Sequence, residues 1–354
     1  MGVEKMAKGR VLVAMSGGVD STVAALLLRR QGWEVEGATF HLWLPGQEGE
    51  PEAVRDAREV CAALDIPHHV LDYRELFREK VVDAFAEQYA LGRTPNPCVV
   101  CNRNIKFGAF LDYAREQGHD KIATGHYAGI VYDEALSRWR LRRSAVRRKD
   151  QSYVLYHLSQ EQLAAALLPL DGYDKDEIRA IARQEGLAVG GKADSQDICF
   201  IPDGDYGAFL DSYTEEDSPS GEFVDSDGNV IGAHQGIRHY TVGQRKGLGG
   251  GFTQPMFVRS ISPSDNRVVL TAGEGLFSTV LEADEVSWID FDEPTEPFRV
   301  EASIRYAHKP APATVFPDGK RARVEFDEPQ RAITPGQSVV FYRDEYVVGG
   351  GTIL

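Results

Sequence analysis

The chain has 354 residues, 42% hydrophobic and 26% charged, with four cysteines and a formal net charge of −15 at pH 7. This composition excludes a disordered or fibrous protein, and the length favours two or three domains, each able to bury its own core. The acidic balance argues against indiscriminate binding to nucleic acid, DNA included, because phosphate contacts need positive charge.

No apolar run approaches the roughly 20 residues that span a bilayer, and "MGVEKMAKGRVLVAM" lacks the apolar stretch of a secretory signal. The expectation is a cytoplasmic protein with no membrane partner. Its cysteines are then expected to be catalytic, metal-bound or buried rather than disulfide staples.

In chain order, "RVLVAM" (residues 10–15) predicts a buried strand, "STVAALLLRRQG" (21–32) a helix closed by Gly32, and "EVEGATFHLW" (34–43) a second strand. In "EAVRDAREVCAALDIP" (52–67), Val54, Ala57, Cys61 and Leu64 recur at helical spacing, which makes Cys61 a small buried hydrophobe. There follow a short strand in "HHVLDY" (68–73), a long helix in "LFREKVVDAFAEQYALG" (76–92), and a strand running into a glycine turn in "DKIATGHYA" (120–128). This βαβα rhythm predicts an α/β domain with a doubly wound, parallel, Rossmann-like sheet.

After about residue 210 the rhythm changes. "DSYTEEDSPSGEFVDSDGNVIG" (211–232) is rich in turn formers and acidic residues, and only short strands follow: "MFVRSISPSDNRVVLTAG", "FRVEASIRYA" and "ARVEFDEPQRAITPGQSVVFYRDEYVVGGGTIL". The expected organisation is an α/β domain over residues 1–212, a small β-rich central domain over 213–276 and a C-terminal β-barrel over 277–354.

The first strand ends in "AMSGGVDSTVAALL" (14–27). Glycines at 17 and 18 permit a tight turn and close backbone approach, while the following helix aims its N–H groups and dipole into the loop. Phosphate is the natural guest. Ser16 and Ser21 add donors, and Asp20 is placed to hold Mg²⁺ beside the phosphates. The loop lacks the lysine that reaches the β/γ-phosphates in Walker-type sites, which makes γ-phosphoryl transfer less attractive.

Two further segments stand out. "TPNPCVVCNRNIKF" (94–107) carries a C-x-x-C, open to reading as a redox dithiol, half a zinc site or part of an iron–sulfur site. Arg103 and Lys106 lie near Cys101 in sequence and can supply positive potential to a thiolate. "RWRLRRSAVRRK" (138–149) packs six arginines and a lysine into twelve positions, either a solvated hairpin face or a nucleic-acid patch.

"SGGVDS" resembles the PP-loop of the ATP pyrophosphatases, which implies cleavage of ATP between its α and β phosphates and adenylation of a substrate oxygen. "TPNPCVVCNRNIKF", "ATGHYA" (123–128), "RKDQSYVLY" (148–156), "DSQDICFIPDGDY" (194–206), "HYTVGQRKGLG" (239–249), "IRYAH" (304–308) and "TPGQSVVFY" (334–342) resemble, in that family's order, the tRNA-specific 2-thiouridylases. That resemblance implies a three-domain sulfurtransferase acting on the wobble uridine of lysine, glutamate and glutamine tRNAs. Adenylation turns the unreactive C2 oxygen into a leaving group, and sulfur then displaces AMP.

The resemblance assigns ATP contacts to Ala14, Met15, Ser16, Gly17, Gly18, Val19, Asp20, Ser21, Phe40 and Gly125. It makes Cys199 the persulfide carrier and Cys101 the thiol that frees the sulfur and ends disulfide-bonded to Cys199. Asn96, Pro97 and Cys98 match a segment facing a flipped base. His126, Lys149, Asp150, Gln151, Arg305, Tyr306 and Gln337 match tRNA contacts, which favours a phosphate-binding role for the arginine-rich stretch. A cysteine desulfurase feeding a sulfur relay is implied upstream.

Some family members carry Asp where this chain has Cys98. With Cys101 and Cys199, Cys98 makes three thiols, which can hold a 4Fe–4S cluster and offer a second route for sulfur. A zinc site lacks a fourth ligand at a recognisable spacing. The loop "GGKADSQDICFIPDGDY" (190–206) is expected to be mobile. Two rival classes are a PP-loop ligase that adenylates a carboxylate and a non-enzymatic tRNA-binding protein.

Overall fold

The computed structural model describes residues 8–187, 198–214 and 218–354, and it divides into two compact units. Among the described residues, the first unit gathers 8–81, 98–187 and 345–347, and the second 82–97, 198–214, 218–344 and 348–354.

The first unit is built on a parallel sheet of β1 (Arg10–Ala14), β2 (Glu34–His41), β3 (His68–Asp72), β4 (Lys121–Ala123) and a short strand Ala166–Leu167. The order runs β3, β2, β1, β4 and then Ala166–Leu167. Val11, Leu12 and Val13 are fully buried, as a central parallel strand covered on both faces requires. Helices α1 (Val19–Arg30) and α2 (Glu52–Ala63) follow β1 and β2, and a later helix, Lys175–Gln184, packs Ile178 and Ala182 into the cluster formed by Val23, Ala24 and Leu27 of α1. A hairpin of β5 (Ala128–Asp133) and β6 (Arg138–Arg143) leaves the sheet directly after β4, and Tyr346 and Val347 pair with β6.

The predicted long helix over 76–92 is helical but not uniform. It runs through Arg74–Phe77, a wide π-helical turn at Arg78–Asp83, and Ala84–Ala90. The cysteine segment behaves the same way: Pro97–Cys101 is followed by a π-helical stretch, Asn102–Ala109, and then Phe110–Glu116. Such wide turns change which face each side chain occupies, and hydrophobic periodicity does not reveal them.

The second unit holds two β structures. Strands Gly221–Val224, Val230–His234, Phe257–Ser262 and Arg267–Thr271 form a four-stranded sheet around Phe223, Tyr240, Val258, Val268 and Leu270. Six further strands, Phe277–Trp288, Phe298–Ser303, Ala311–Asp318, Arg321–Arg331, Ser338–Arg343 and Tyr346–Ile353, form a barrel. It is closed by pairing of the first with the last, for example Ala283 with Ile353 and Trp288 with Gly349. Val300, Val315, Val324, Phe341 and Val348 fill its interior. The predicted fold class holds: a parallel α/β sheet, a small β-rich middle domain and a C-terminal barrel. No helix among the described residues is long and apolar enough to cross a membrane.

Cys61 is the buried hydrophobe expected from its spacing. It lies in α2 with no exposed surface, and a Cβ added to Gly37 would sit 2.6 Å from its Sγ, so the sulfur occupies the space a side chain on β2 would need. Burial pushes its thiol up to about 11. Cys61→Leu should therefore press on β2 and cost about 1–3 kcal/mol in denaturant unfolding. In the folded protein Cys61 should resist iodoacetamide at pH 8, read by peptide mass, and become alkylated once the chain is unfolded.

Candidate active site

The glycine loop leaves the carboxyl end of β1. Met15 N–H donates to Ala38 at 2.7 Å, extending the β1–β2 ladder by one residue, and the chain then turns at Gly17 with φ +72°. A Cβ there would lie 2.6 Å from Asp56 Cβ, so glycine is required by both conformation and space. Gly18 is the N-cap of α1 and has no side chain with which to cap the first turn, which leaves N–H groups directed into the loop. Ser16 and Ser21 brace it, with hydroxyls 3.2 Å apart and Ser21 Oγ donating to Gly18 O at 3.1 Å. Ala14 to Ser21 thus form one continuous cradle.

The order β2, β1, β4 makes the carboxyl ends of β1 and β4 a topological switch point, the crevice where open α/β sheets bind ligands. The "ATGHYA" turn leaves β4 there and meets the loop. A Cβ on Gly125 would come within 3.1 Å of the Asp20 carbonyl carbon and Ser21 N, so a side chain there would have to push the α1 backbone back by a few tenths of an ångström. Tyr127 then donates its hydroxyl to Asp20 Oδ1 at 2.7 Å, and Lys175 Nζ donates to Asp20 Oδ2 at 2.7 Å. Phe40, half-buried at the carboxyl end of β2, packs edge-on to Phe110 with ring centroids 5.0 Å apart.

Gln151 pins this turn from behind: its Oε1 accepts from Tyr127 N–H and its own N–H donates to Tyr127 O, both at 2.9 Å. Asp150 is similarly engaged, its carboxylate accepting from Ser144 N–H (2.8 Å), Ser152 N–H (3.2 Å) and Ser152 Oγ (2.9 Å). Lys149 ends the short helical turn Arg147–Lys149 just before them. His126 is buried, with Nδ1 2.7 Å from Thr124 Oγ1; burial first, and then the charge of Lys106, hold its imidazole neutral. The neighbouring arginines are largely matched by carboxylates: Arg140 with Asp133 (3.2 Å), Arg142 with Asp171, Arg143 with Asp150 (3.4 Å) and Arg148 with Asp174 (3.3 Å). Arg140 also lies over the Tyr346 ring.

Cys98 and Cys101 stand one helical turn apart in Pro97–Cys101, Cys98 exposed and Cys101 buried. Burial pushes the Cys101 thiol up; Lys106 opposes that, and Cys98 adds to it. Of the two cations suggested by proximity in sequence, Lys106 acts on Cys101, whereas Arg103 helps to depress His157.

The remaining predicted residues belong to the second unit. Thr94, just before Asn96 and Pro97, is held by Pro335 and Gln337: its N–H donates to Pro335 O at 2.8 Å and its carbonyl accepts from Gln337 Nε2 at 2.7 Å. Arg305 donates to Arg331 O at 2.8 Å, and Tyr306 is 50% exposed on the barrel. Cys199 is exposed and precedes Phe200, which is buried against Phe85 and Phe209. Residues 190–197 of the loop expected to be mobile lie outside the described residues.

Sequence reasoning missed Tyr127 and Lys175. Tyr127 sits inside a quoted motif, but Lys175 opens an ordinary amphipathic helix and carries no local signal. Mg²⁺ takes one or two carboxylates and completes its shell with phosphate and water. Asp20 fits that use, since a carboxylate accepting two hydrogen bonds retains lone pairs. A 4Fe–4S cluster needs three thiolates around it. Among the described residues no group of three or more His, Cys, Asp or Glu side chains is gathered to hold a metal ion.

A glycine loop at the switch point of a parallel sheet, tied to a second turn through a shared carboxylate, defines a PP-loop nucleotide-binding protein of the HUP class. The family model described as tRNA methyl transferase HUP domain matches residues 9–203, more than half of the chain. Those described as tRNA methyl transferase PRC-barrel domain and Aminomethyltransferase beta-barrel domain match 207–272 and 278–353. Proteins named tRNA-specific 2-thiouridylase MnmA from Clostridioides difficile and Acetivibrio thermocellus are 49% and 48% identical to it, over 97% and 98% of this chain and 98% and 100% of theirs. One from Clostridium botulinum is 50% identical over 98% of both chains. The chain belongs to the tRNA-specific 2-thiouridylase family.

The opposed influences on Cys101 fix the sign of a pH effect. Its alkylation rate should rise with a midpoint above the roughly 8.5 of an unperturbed thiol. Lys106→Met, by removing the charge that favours the thiolate, should move that midpoint higher still. Site-resolved mass spectrometry across pH 7–10 measures both, and a midpoint lowered by Lys106→Met would contradict the assignment.

Proposed function

We propose that this chain is a tRNA-uridine 2-sulfurtransferase that uses ATP to thiolate the wobble uridine of lysine, glutamate and glutamine tRNAs. The reading is carried by one observation: the PP-loop and the "TGHY" turn meet at the switch point of the sheet in a chain whose full-length relatives are 2-thiouridylases. The methyl-transfer wording of the domain families gives no task to an ATP-cleaving loop, whereas thiolation uses it.

The residues divide the work. Ala14 to Ser21, Phe40 and Gly125 hold ATP, with Asp20 as the protein ligand of Mg²⁺, whose role is to neutralise phosphate charge. The uridine C2 oxygen attacks the α-phosphorus and pyrophosphate leaves. Cys101 thiolate attacks the inner sulfur of a Cys199 persulfide, forming a Cys101–Cys199 disulfide and releasing hydrosulfide. Hydrosulfide adds to C2 and AMP departs with the former oxygen. A cellular thiol reductant then reopens the disulfide, and a sulfur relay fed by a cysteine desulfurase reloads Cys199.

Asn96, Pro97 and Cys98 face the flipped base. His126, Lys149, Asp150, Gln151, Arg305, Tyr306 and Gln337 contact or position the tRNA. The hydrogen bonds of Gln151 to Tyr127 and of Gln337 to Thr94 are consistent with positioning, since each fixes a segment that carries site residues. Domain limits at 1–212, 213–276 and 277–354 and a cytoplasmic location complete the reading.

Cys101→Ala and Cys199→Ala should each reduce thiolation below about one-thousandth of wild type, as loss of a covalent-catalysis thiol does. Cys98→Ala should be milder. Nucleoside mass analysis of tRNA incubated with ATP and a sulfur donor measures this, alongside iron and acid-labile sulfide in anaerobically purified protein. A stoichiometric cluster lost in all three variants would replace the persulfide route with an iron–sulfur one. Absence of tRNA-dependent pyrophosphate release would sink the enzymatic reading, and activity surviving without Cys101 and Cys199 would point to another PP-loop ligase.

A further inference from the structure

The persulfide route proposed above ends each turnover with an oxidised enzyme: Cys199 is bonded to Cys101 and takes no new sulfur until that bond opens. Cys101 is the sheltered end of it. The residue is 9% exposed, and neighbouring amides hold the chain around it, Asn102 Nδ2 donating to Val154 O and Asn104 Nδ2 to Val100 O, both at 3.0 Å. Thiol–disulfide exchange needs access to the sulfur attacked, so burial screens Cys101 Sγ from a reductant in solution.

A second thiol stands beside it. Cys98 is exposed, shares the short helix Pro97–Cys101 and the same compact unit, and neither cysteine is in a disulfide. Cys101 closes that helix with φ −61° and ψ −45°, so the spacing is α-helical. Cα atoms three residues apart on such a helix are about 5 Å apart, inside the roughly 4.4–6.8 Å that a disulfide bridges. Cys98 is also among the groups whose charge acts on the Cys101 thiol, as a close neighbour does.

We infer that Cys98 is a second resolving thiol, a catalytic residue that moves the disulfide from Cys101–Cys199 to Cys98–Cys101 and frees Cys199 for reloading. This rests on the persulfide reading above. Cys98 gives its proton to water and attacks Cys101 Sγ as the thiolate. The Cys98–Cys101 bond forms, the Cys101–Cys199 bond breaks, and the electron pair leaves on Cys199 Sγ, which is exposed and takes a proton from water. The exchange consumes no oxidant and no reductant. Attack from within one helical turn is intramolecular and needs no encounter in solution. Two electrons from a cellular thiol reductant then open the Cys98–Cys101 bond, entering at Cys98, the sulfur that solvent reaches.

The test loads the full chain with sulfur from cysteine and a cysteine desulfurase, removes excess cysteine, and adds ATP, Mg²⁺ and equimolar tRNA without reductant. Acid quenching, alkylation and non-reducing peptide mass analysis then locate the disulfide. Wild type should end its first turnover with a Cys98–Cys101 disulfide and an alkylated Cys199. Cys98→Ala should end it with a Cys101–Cys199 disulfide, and so should the near-isosteric Cys98→Ser, which gives the same comparison should Cys98→Ala fold poorly. With a protein dithiol reductant supplied, the ratio of steady-state to first-turnover thiolation rate should fall at least about tenfold in both variants, a ratio in which any effect on base binding common to both rates cancels. Accumulation of the Cys101–Cys199 disulfide in wild type, or an unchanged ratio in the variants, overturns the assignment. Thiolated tRNA formed with no protein disulfide in any of the three proteins overturns the persulfide reading itself.

Discussion

The Asp20 carboxylate is the point on which the site in the first unit depends. One oxygen accepts from Tyr127 and the other from Lys175, so segments separated by more than a hundred residues are tied to the first turn of α1. Gly125 eases this approach, since a side chain on it would press on the backbone at Asp20 and Ser21. Gln151 fixes Tyr127 from behind through two backbone-directed bonds. The nucleotide loop and the "KDQ" segment therefore share a single hydrogen-bonded chain through Tyr127.

The thiols obey a competition between burial and charge. Cys61 and Cys101 are both buried, and burial disfavours the thiolate in each. They differ in company. Burial alone acts on Cys61, whereas Cys101 has Lys106 acting against its burial. A thiol held protonated in the resting state, with a cation ready to stabilise its anion, is suited to a step that must wait for its substrates.

The arginine-rich hairpin illustrates why charge density in sequence is a weak guide. Arg140, Arg142, Arg143 and Arg148 each find a carboxylate, two of them, Asp171 and Asp174, contributed by a segment that begins more than twenty residues later. Much of the apparent positive patch is spent on holding the hairpin and the helix start at Asp174 in place. Only Arg148–Asp174 is an exposed pair, of the kind that contributes about 0–1 kcal/mol; the other three are largely shielded by the hairpin itself.

The sequence by itself determined the elements and the reaction class. Period-2 and period-3.6 patterns located β1, α1, β2 and α2, turn-rich composition marked the shift to β structure, and "SGGVDS" between a strand and a helix specified a phosphate-binding loop, because these depend on residues adjacent in the chain. The identity of Cys61 as packing was legible for the same reason. Tertiary structure alone decided that Lys175 and Tyr127 share Asp20, that Lys106 acts on Cys101, and that π-helical turns interrupt the two helical segments. Those outcomes follow from strand order and helix packing, which bring distant side chains within a few ångströms, and distance in space leaves no mark on spacing in sequence.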